Sequence, residues 1–162
     1  MQKPLVSILI PFKDTEAYLS ECIESILQQD YPFWEVLAID DASSDDSYDL
    51  VHRFALKDSR IRLLNNQGSG IIAALRTAYA NCHGELITRM DSDDIMTLDK
   101  LGTMVNLLLQ KGMGHLAVGQ VAYFSHRGIS NGYARYEAWL NELTAKGSNY
   151  SEIYKECVIP SP

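Results

Sequence analysis

Apolar positions along the first part of the chain follow two alternating spacings. Leu5-Val6-Ser7-Ile8-Leu9-Ile10 is a nearly unbroken apolar run of strand length that ends at Pro11. Behind it, Tyr18, Leu19, Cys22, Ile23, Ile26 and Leu27 recur at helical spacing as one stripe, with Asp14 or Thr15 able to cap the helix. Trp34 to Ile39 predicts a second strand, and Ser44 can cap a second helix carrying Tyr48, Val51, Phe54 and Ala55. Ile61 to Leu64 predicts a third strand, which leads through Asn65-Asn66-Gln67-Gly68-Ser69-Gly70 into a third helix, and Glu85 to Met90 a fourth strand. Strands alternating with helices need right-handed crossovers. The expected fold class is therefore α/β, an open sandwich with a mostly parallel central sheet and helices on both faces.

The last third is less regular. His115 to Phe124 predicts a long strand, and the turn Arg127 to Gly132 precedes a helix bearing Tyr136, Trp139, Leu140 and Leu143. Tyr133, Tyr136 and Trp139 could stack on a sugar, but aromatic residues at helical spacing usually belong to a core. His115 and His126 stand alone and read as structural or surface residues.

Composition narrows the function. A chain of 162 residues, 46% hydrophobic, can bury one core, and a single domain over residues 1–162 is expected. A formal charge of −7 excludes a nucleic-acid binder, which needs a basic field. Any anionic ligand must be held locally. Cys22, Cys82 and Cys157 are odd in number and widely spaced, so neither a disulfide framework nor a structural zinc site is expected, and a reducing, cytoplasmic setting fits. The first apolar run is too short for a signal peptide or a membrane span.

Ligands of parallel sheets lie beyond the carboxyl ends of the strands, where Pro11 to Asp14, Asp40 to Asp46 and Asp91 to Asp94 fall. Ser44, Asp45 and Asp46 suit helix capping and the helix dipole. Asp40 and Asp41 end a strand, so only one of them can face a ligand. Asp91-Ser92-Asp93-Asp94 has four readings. A calcium loop fails, because Met96 and Gly102 stand where glycine and glutamate are required. A helix start is a second, with Asp94 or Thr97 capping the run Leu98, Leu101, Val105 and Leu108. Gly68-Ser69-Gly70-Ile71-Ile72-Ala73 matches a dinucleotide fingerprint with Asp91 about twenty residues on, which would make an NAD(P)-dependent oxidoreductase. Two βα units precede that fingerprint, however, and three acids would repel a pyrophosphate. The fourth reading is a divalent metal site holding a diphosphate: Asp91 and Asp93 project the same way from extended chain and offer hard oxygen ligands to Mn2+ or Mg2+.

Val6 to Pro11, Ser25-Ile26-Leu27-Gln28-Gln29, Glu35 to Ser43 and Gly84 to Asp94 together resemble, in order and spacing, glycosyltransferase family 2 with the GT-A fold. The resemblance implies an inverting, metal-dependent transfer of sugar from a nucleotide-diphosphate sugar to an acceptor hydroxyl, of the kind used to build polysaccharide or cell-envelope glycans. It implies that Pro11 and Phe12 line the nucleoside pocket and that Asp41 binds the base. Asp91-Ser92-Asp93 becomes the D-x-D motif, with Asp91 facing ribose and diphosphate and Asp93 ligating Mn2+ or Mg2+. Arg76 stands where many relatives carry Asn, and a surface acid is its expected partner. The implied acceptor is a glycan or a lipid-linked sugar, which allows a cytoplasmic protein peripheral to the membrane. A non-catalytic nucleotide-sugar-binding module is the remaining alternative.

Inversion requires a carboxylate base opposite the leaving group. In the family that acid lies in a later segment. Asp99, Glu137, Glu142, Glu152 and Glu156 fall in helix-like stretches that favour solvated faces, so the base is expected beyond Pro162. The expectation is a complete nucleotide-sugar-binding part, an incomplete acceptor side, and a sheet edge that offers a route to homodimers.

Overall fold

The computed structural model describes residues 3–125 and 127–159. His126 lies outside the described residues. The chain divides into two compact units, the first reaching Thr103 and the second beginning at Met104.

In the first unit four strands, β1 (Val6–Phe12), β2 (Trp34–Asp40), β3 (Ile61–Asn65) and β4 (Leu86–Arg89), form one sheet in the order β3-β2-β1-β4. Every pairing is parallel, with Val6 opposite both Trp34 and Leu86. Helices α1 (Glu16–Leu27) and α2 (Ser47–Lys57) pack on one another, whereas α3 (Ile71–Asn81) packs on β1 and β2. Right-handed crossovers account for the arrangement, because the chain steps from β1 to β3 in one direction and then returns across the sheet to β4. α3 therefore covers the face opposite α1 and α2. Alternating strand residues supply both cores: Leu9, Leu37 and Ile39 meet Ala74 and Ala78 of α3, while Ile8, Ile10 and Val36 point the other way and are fully buried, as are Leu19, Ile23, Ile26 and Val51. Each such aliphatic side chain contributes about 1.5–3 kcal/mol of burial.

The order reverses at β1, so the crevice of this sheet opens between β1 and β4 at their carboxyl ends. Pro11, expected to end β1, instead lies inside it opposite Ile39. Leu9 accepts from the Met90 N–H on the β4 side and Phe12 accepts from the Asp41 N–H on the β2 side, so Pro11 faces β4. Having no N–H, it cannot extend that ladder, and β4 parts from β1 there.

Thr15, one of the two residues expected to cap α1, stands at its N-cap position, Ser44 does not stand at that of α2, and neither helix has a side-chain cap bond. Asp46 occupies the N-cap of α2, and the Thr15 hydroxyl is buried without a partner among the described residues. The two helix starts hold each other instead. The Glu16 N–H donates to Asp45 (3.1 Å), the Asp46 N–H to Glu16 (2.9 Å) and the Thr15 N–H to the Ser47 hydroxyl (2.9 Å). Ser44 donates through both N–H and hydroxyl to Asp14, whose carboxyl these bonds hold below its usual range. Tyr18, expected on the apolar stripe, is half exposed.

Helix α4 (Lys100–Lys111) begins later than either expected cap, because Thr97 bonds Asp99 and the chain turns at 98–99. In the second unit α5 (Asn131–Lys146) is capped by the Ser130 hydroxyl and ended by Gly147 in the left-handed region at φ 65°, with a short 3-10 turn at Asn149–Glu152. Residues 115–124, expected as a strand, form none. The side chains of α5 take up their backbone groups: Asn141 accepts from the Val121 N–H (2.8 Å) and donates to the Val121 carbonyl (2.7 Å), and Glu137 accepts from the Tyr123 N–H. Leu116 and Phe124 stay exposed, so the apolar run buries no strand face.

Candidate functional site

The parallel sheet brings the ends of β1, β2 and β4 to one side, with Pro11 and Phe12, Asp40 and Asp41, and Asp91 to Asp94. The sequence-predicted residues thus share one end of the sheet. Pro11 and Phe12 are buried, Phe12 only 3% exposed, so this strand end offers mainly backbone to its surroundings.

Asp40 and Asp41 divide as adjacent strand-end residues must. Asp40, buried on the face of Phe12, accepts from the Ser43 N–H at 3.1 Å and closes a turn. Asp41 points to the α3 side. Its carboxylate accepts from the Asn66 amide (2.6 Å) and from the Gly70 N–H on both oxygens (3.1 and 3.0 Å). Gly70 sits at φ 83° ahead of α3, where a residue with a side chain would be strained. The N–H that a dinucleotide fingerprint would give to a pyrophosphate is therefore bound to a carboxylate of the same chain. β3 and β4 also sit at opposite edges of the sheet. Both facts disfavour the oxidoreductase reading. Sequence reasoning missed the Asp41–Gly70 clip; the Asn66 two residues before Gly68 was its only signal.

On the β4 side, Arg89 reaches forward to Asp91, its Nε at 2.8 Å and its Nη2 at 2.6 Å from the same oxygen, Oδ1. Oδ2 has no hydrogen-bond partner among the described residues. Ser92 is buried between two acids, and Asp93 is exposed and carries no hydrogen bond or ion pair among the described residues. Asp94, expected to cap a helix, does not: its N–H closes a turn onto the Asp91 carbonyl at 3.1 Å, and the helix starts further on. Burial, reinforced by Asp93 and Asp91, raises the Asp94 carboxyl above its usual range, against the pull of Lys100 and Arg89. Lys100 is itself lowered by burial. Burial and the same three acids push the Cys22 thiol up to about 12, so it stays protonated, and it points at the Asp91 carbonyl from 3.6 Å. The three cysteines are free.

These acids concentrate negative charge, with the Asp93 carboxylate and Oδ2 of Asp91 unengaged among the described residues, and hard oxygen donors of this kind suit Mn2+ or Mg2+. Among the described residues no three His, Cys, Asp or Glu side chains converge on a point able to hold an ion. One or two carboxylates suffice where phosphate and water complete the shell, so the residues fit a metal shared with a diphosphate.

The other acids weighed as bases are engaged elsewhere. Asp99 accepts from Thr97, Glu137 from Tyr123, Glu156 from the Cys157 N–H, and Glu142 and Glu152 pair with Lys146 and Lys155. Arg76 is exposed with no ion pair among the described residues, so the surface acid expected for it is not there. His115 lies on the surface, its Nδ1 beside the Gly112 and Met113 carbonyls. Tyr133, Tyr136 and Trp139 form a row of ring contacts with Tyr123 rather than a core, and Tyr133 is 59% exposed. One concavity, of about 430 Å³, lies beside β3 and α3 at Leu63, Asn65, Thr77 and Asn81, at the sheet edge opposite β4. Among the described residues no helix is long and apolar enough to cross a membrane.

The family model for glycosyl transferase family 2 matches residues 7–157. The chain is 38% identical over 113 residues to an uncharacterized glycosyltransferase of Haemophilus influenzae, covering 68% of this chain and 44% of that protein. It is also 38% identical over 117 residues to the UDP-Glc:alpha-D-GlcNAc-diphosphoundecaprenol beta-1,3-glucosyltransferase WfgD of Escherichia coli, covering 72% and 46%. The chain thus spans less than half the length of these relatives. Among solved structures, the mannosyltransferase PcManGT from Pyrobaculum calidifontis in complex with GDP-Man and Mn2+ superposes with a TM-score of 0.62 at 27% identity, covering 74% of this chain and 35% of that one. S. aureus TarS 1-349 in complex with UDP superposes with a TM-score of 0.61 at 24% identity over 65% of this chain and 32% of that one, a likeness of fold.

Proposed function

The chain belongs to glycosyltransferase family 2 and has the GT-A fold, and from that premise we propose that it is the donor-binding part of an inverting, metal-dependent transferase that builds a polysaccharide or cell-envelope glycan. The observation that carries the reading is that Asp93 and the Oδ2 of Asp91, unengaged among the described residues, follow the end of β4 beside the crevice between β1 and β4. The donor is a nucleotide-diphosphate sugar, and the acceptor a glycan or lipid-linked hydroxyl, as WfgD and PcManGT suggest by what their names and complexes contain. The protein works in the cytoplasm or at the membrane surface.

A bound Mn2+ or Mg2+ would stabilise the charge that gathers on the departing diphosphate. Asp93, with the Oδ2 of Asp91 that Arg89 leaves free, would hold it, and Asp91 would also face ribose and diphosphate. Asp41 accepts from the base while holding the turn before α3, and the β1 end at Pro11 and Phe12 walls the nucleoside. In the transfer the acceptor oxygen bonds to the anomeric carbon as the bond from that carbon to the diphosphate oxygen breaks. The acceptor's proton goes to a carboxylate base.

Thermal-shift titration of the chain with UDP, GDP, TDP and NAD, each with and without Mn2+, tests the reading. At least one nucleoside diphosphate should stabilise the fold, and more so with Mn2+. Stabilisation by NAD alone would overturn it.

A further inference from the structure

The motif Ser25-Ile26-Leu27-Gln28-Gln29 has no part in the chemistry above, yet the last turns of α1 and the residues just after it grip the segment that follows the acid pair through its backbone. Cys22 and Ser25 lie one turn apart on α1, and Gln29 and Asp30 follow just beyond its carboxyl end. The Cys22 thiol points at the Asp91 carbonyl. The Ser25 hydroxyl accepts from the Met96 N–H (3.1 Å) and donates to the Cys22 carbonyl (2.7 Å). The Gln29 amide donates to the Thr97 carbonyl (2.7 Å) and the Ser25 carbonyl (3.1 Å), while its oxygen accepts from the Leu101 N–H (3.0 Å). The Asp30 N–H donates to the Leu98 carbonyl at 3.1 Å, and Gly102 lies so close that an added Cβ would stand 2.7 Å from the Asp30 carboxylate.

Ser25 and Gln29 are each only 8% exposed, so these bonds are made in a site where water does not substitute. A primary amide is the one side chain that offers a donor and an acceptor together at that reach: Glu cannot donate and Leu can do neither. The segment has no strand ladder to fix it, since β4 ends at Arg89 and α4 begins at Lys100. Its position therefore depends on α1.

We propose that Gln29 and Ser25 are positioning residues for the metal-binding carboxylates, holding the chain after Asp91 and Asp93 in the place where both can serve one cation beside the diphosphate. This role presupposes the metal reading above. It predicts a division of effects: the β1 and β2 ends that hold the nucleoside stand apart from this grip, so losing it should spare metal-free nucleotide binding and cost the metal-linked part.

The test uses the full chain with Gln29→Leu, which keeps volume and removes both bonding functions, and Ser25→Ala, a smaller change. Binding of Mn2+ in the presence of UDP or GDP is read by electron paramagnetic resonance of the free ion, nucleotide affinity without metal by calorimetry, and backbone order by amide hydrogen exchange. The expected result in folded protein is an Mn2+ affinity at least fivefold weaker and metal-free nucleotide affinity within about twofold of wild type. Exchange should be faster at residues 91–98 and unchanged in β1 and β2. A merely structural role would lower the melting temperature and leave the Mn2+ affinity of the folded fraction intact. Mn2+ strengthening that persists in both variants overturns the positioning role alone, whereas its absence from the wild-type chain strikes the metal reading and this role with it.

Discussion

The Gly70 N–H donates to both carboxylate oxygens of Asp41, at 3.1 and 3.0 Å, which ties the end of β2 to the start of α3. The Asn66 amide adds a third bond at 2.6 Å. An acid proposed to read the nucleotide base is thus also a structural clip, and its removal should be felt twice. Asp41→Ala should cost about 1–3 kcal/mol of stability, because it leaves a partly buried N–H without its acceptor. It should also weaken nucleotide binding to a similar extent with or without Mn2+. Denaturant unfolding reads the first effect and calorimetry the second. Asp45→Ala, which removes a bond to the start of α1, should leave nucleotide affinity unchanged. If the two variants bind nucleotide alike, Asp41 is a clip only.

Asp93 and Asp94 are neighbours with opposite expected behaviour. Asp93→Asn removes an exposed, unpaired carboxylate, so the melting temperature should hold while the Mn2+-dependent gain in nucleotide binding disappears. Burial and two neighbouring acids disfavour the charged form of the Asp94 carboxyl. Asp94→Asn relieves that repulsion and should raise the melting temperature of the metal-free chain, by about 2–4 °C for each kcal/mol relieved. Added Mn2+ should narrow the difference, since the cation relieves the same repulsion in the wild type. Calorimetric scans with and without Mn2+ check both, and a lower melting temperature for Asp94→Asn would show that its carboxylate is favourably held.

The α/β order was legible because the apolar runs of β1 and β2 are buried on both faces and the stripe Leu19, Cys22, Ile23 and Ile26 repeats at helical spacing. Sequence also indicated which strand ends carry acids. It did not show what those acids touch. Asp41 meets Gly70 across an interval of 29 residues, and Asp45 meets Glu16 across the same interval, contacts that only the sheet's geometry creates. The run His115 to Phe124 misled for a different reason: strand propensity reports a fit to a pleated surface, and Asn141 and Glu137 satisfy the backbone there without a neighbouring strand.

At the amino end of the sheet, Glu35 predicts a dependence of stability on pH. Its Oε1 accepts from the Ser7 hydroxyl (2.7 Å) and the His83 N–H (2.5 Å), and its Oε2 lies 3.1 Å from His83 Nδ1 and 3.4 Å from Arg62. Burial raises this carboxyl, but the bonds from His83 and Ser7 outweigh it and leave the group below its ordinary value of 4.5. Because the folded form holds the proton less tightly than the unfolded one, the contribution is full above that value and is lost as pH falls through the lowered folded one. Denaturant midpoints should therefore fall as the pH drops below about 4.5, and Glu35→Gln should flatten that part of the profile while destabilising the chain at pH 7. An unchanged acid profile in the variant would show that the charge on Glu35 does not matter.

Asn141 offers a separate test in the second unit. One side chain satisfies both backbone groups of Val121, so it stands in for the missing strand neighbour. Asn141→Ala leaves that N–H and carbonyl unpaired, at about 1–3 kcal/mol if water does not replace the partner. Asn141→Asp separates the two bonds: it keeps the acceptor for the Val121 N–H and sets a carboxylate against the Val121 carbonyl, so it should be at least as damaging despite its equal size. The loss should be local, with hydrogen exchange accelerated at residues 121–124 and unchanged in β1 and β2. Protection at the Val121 N–H that survives in Asn141→Ala would mean that another group holds the segment.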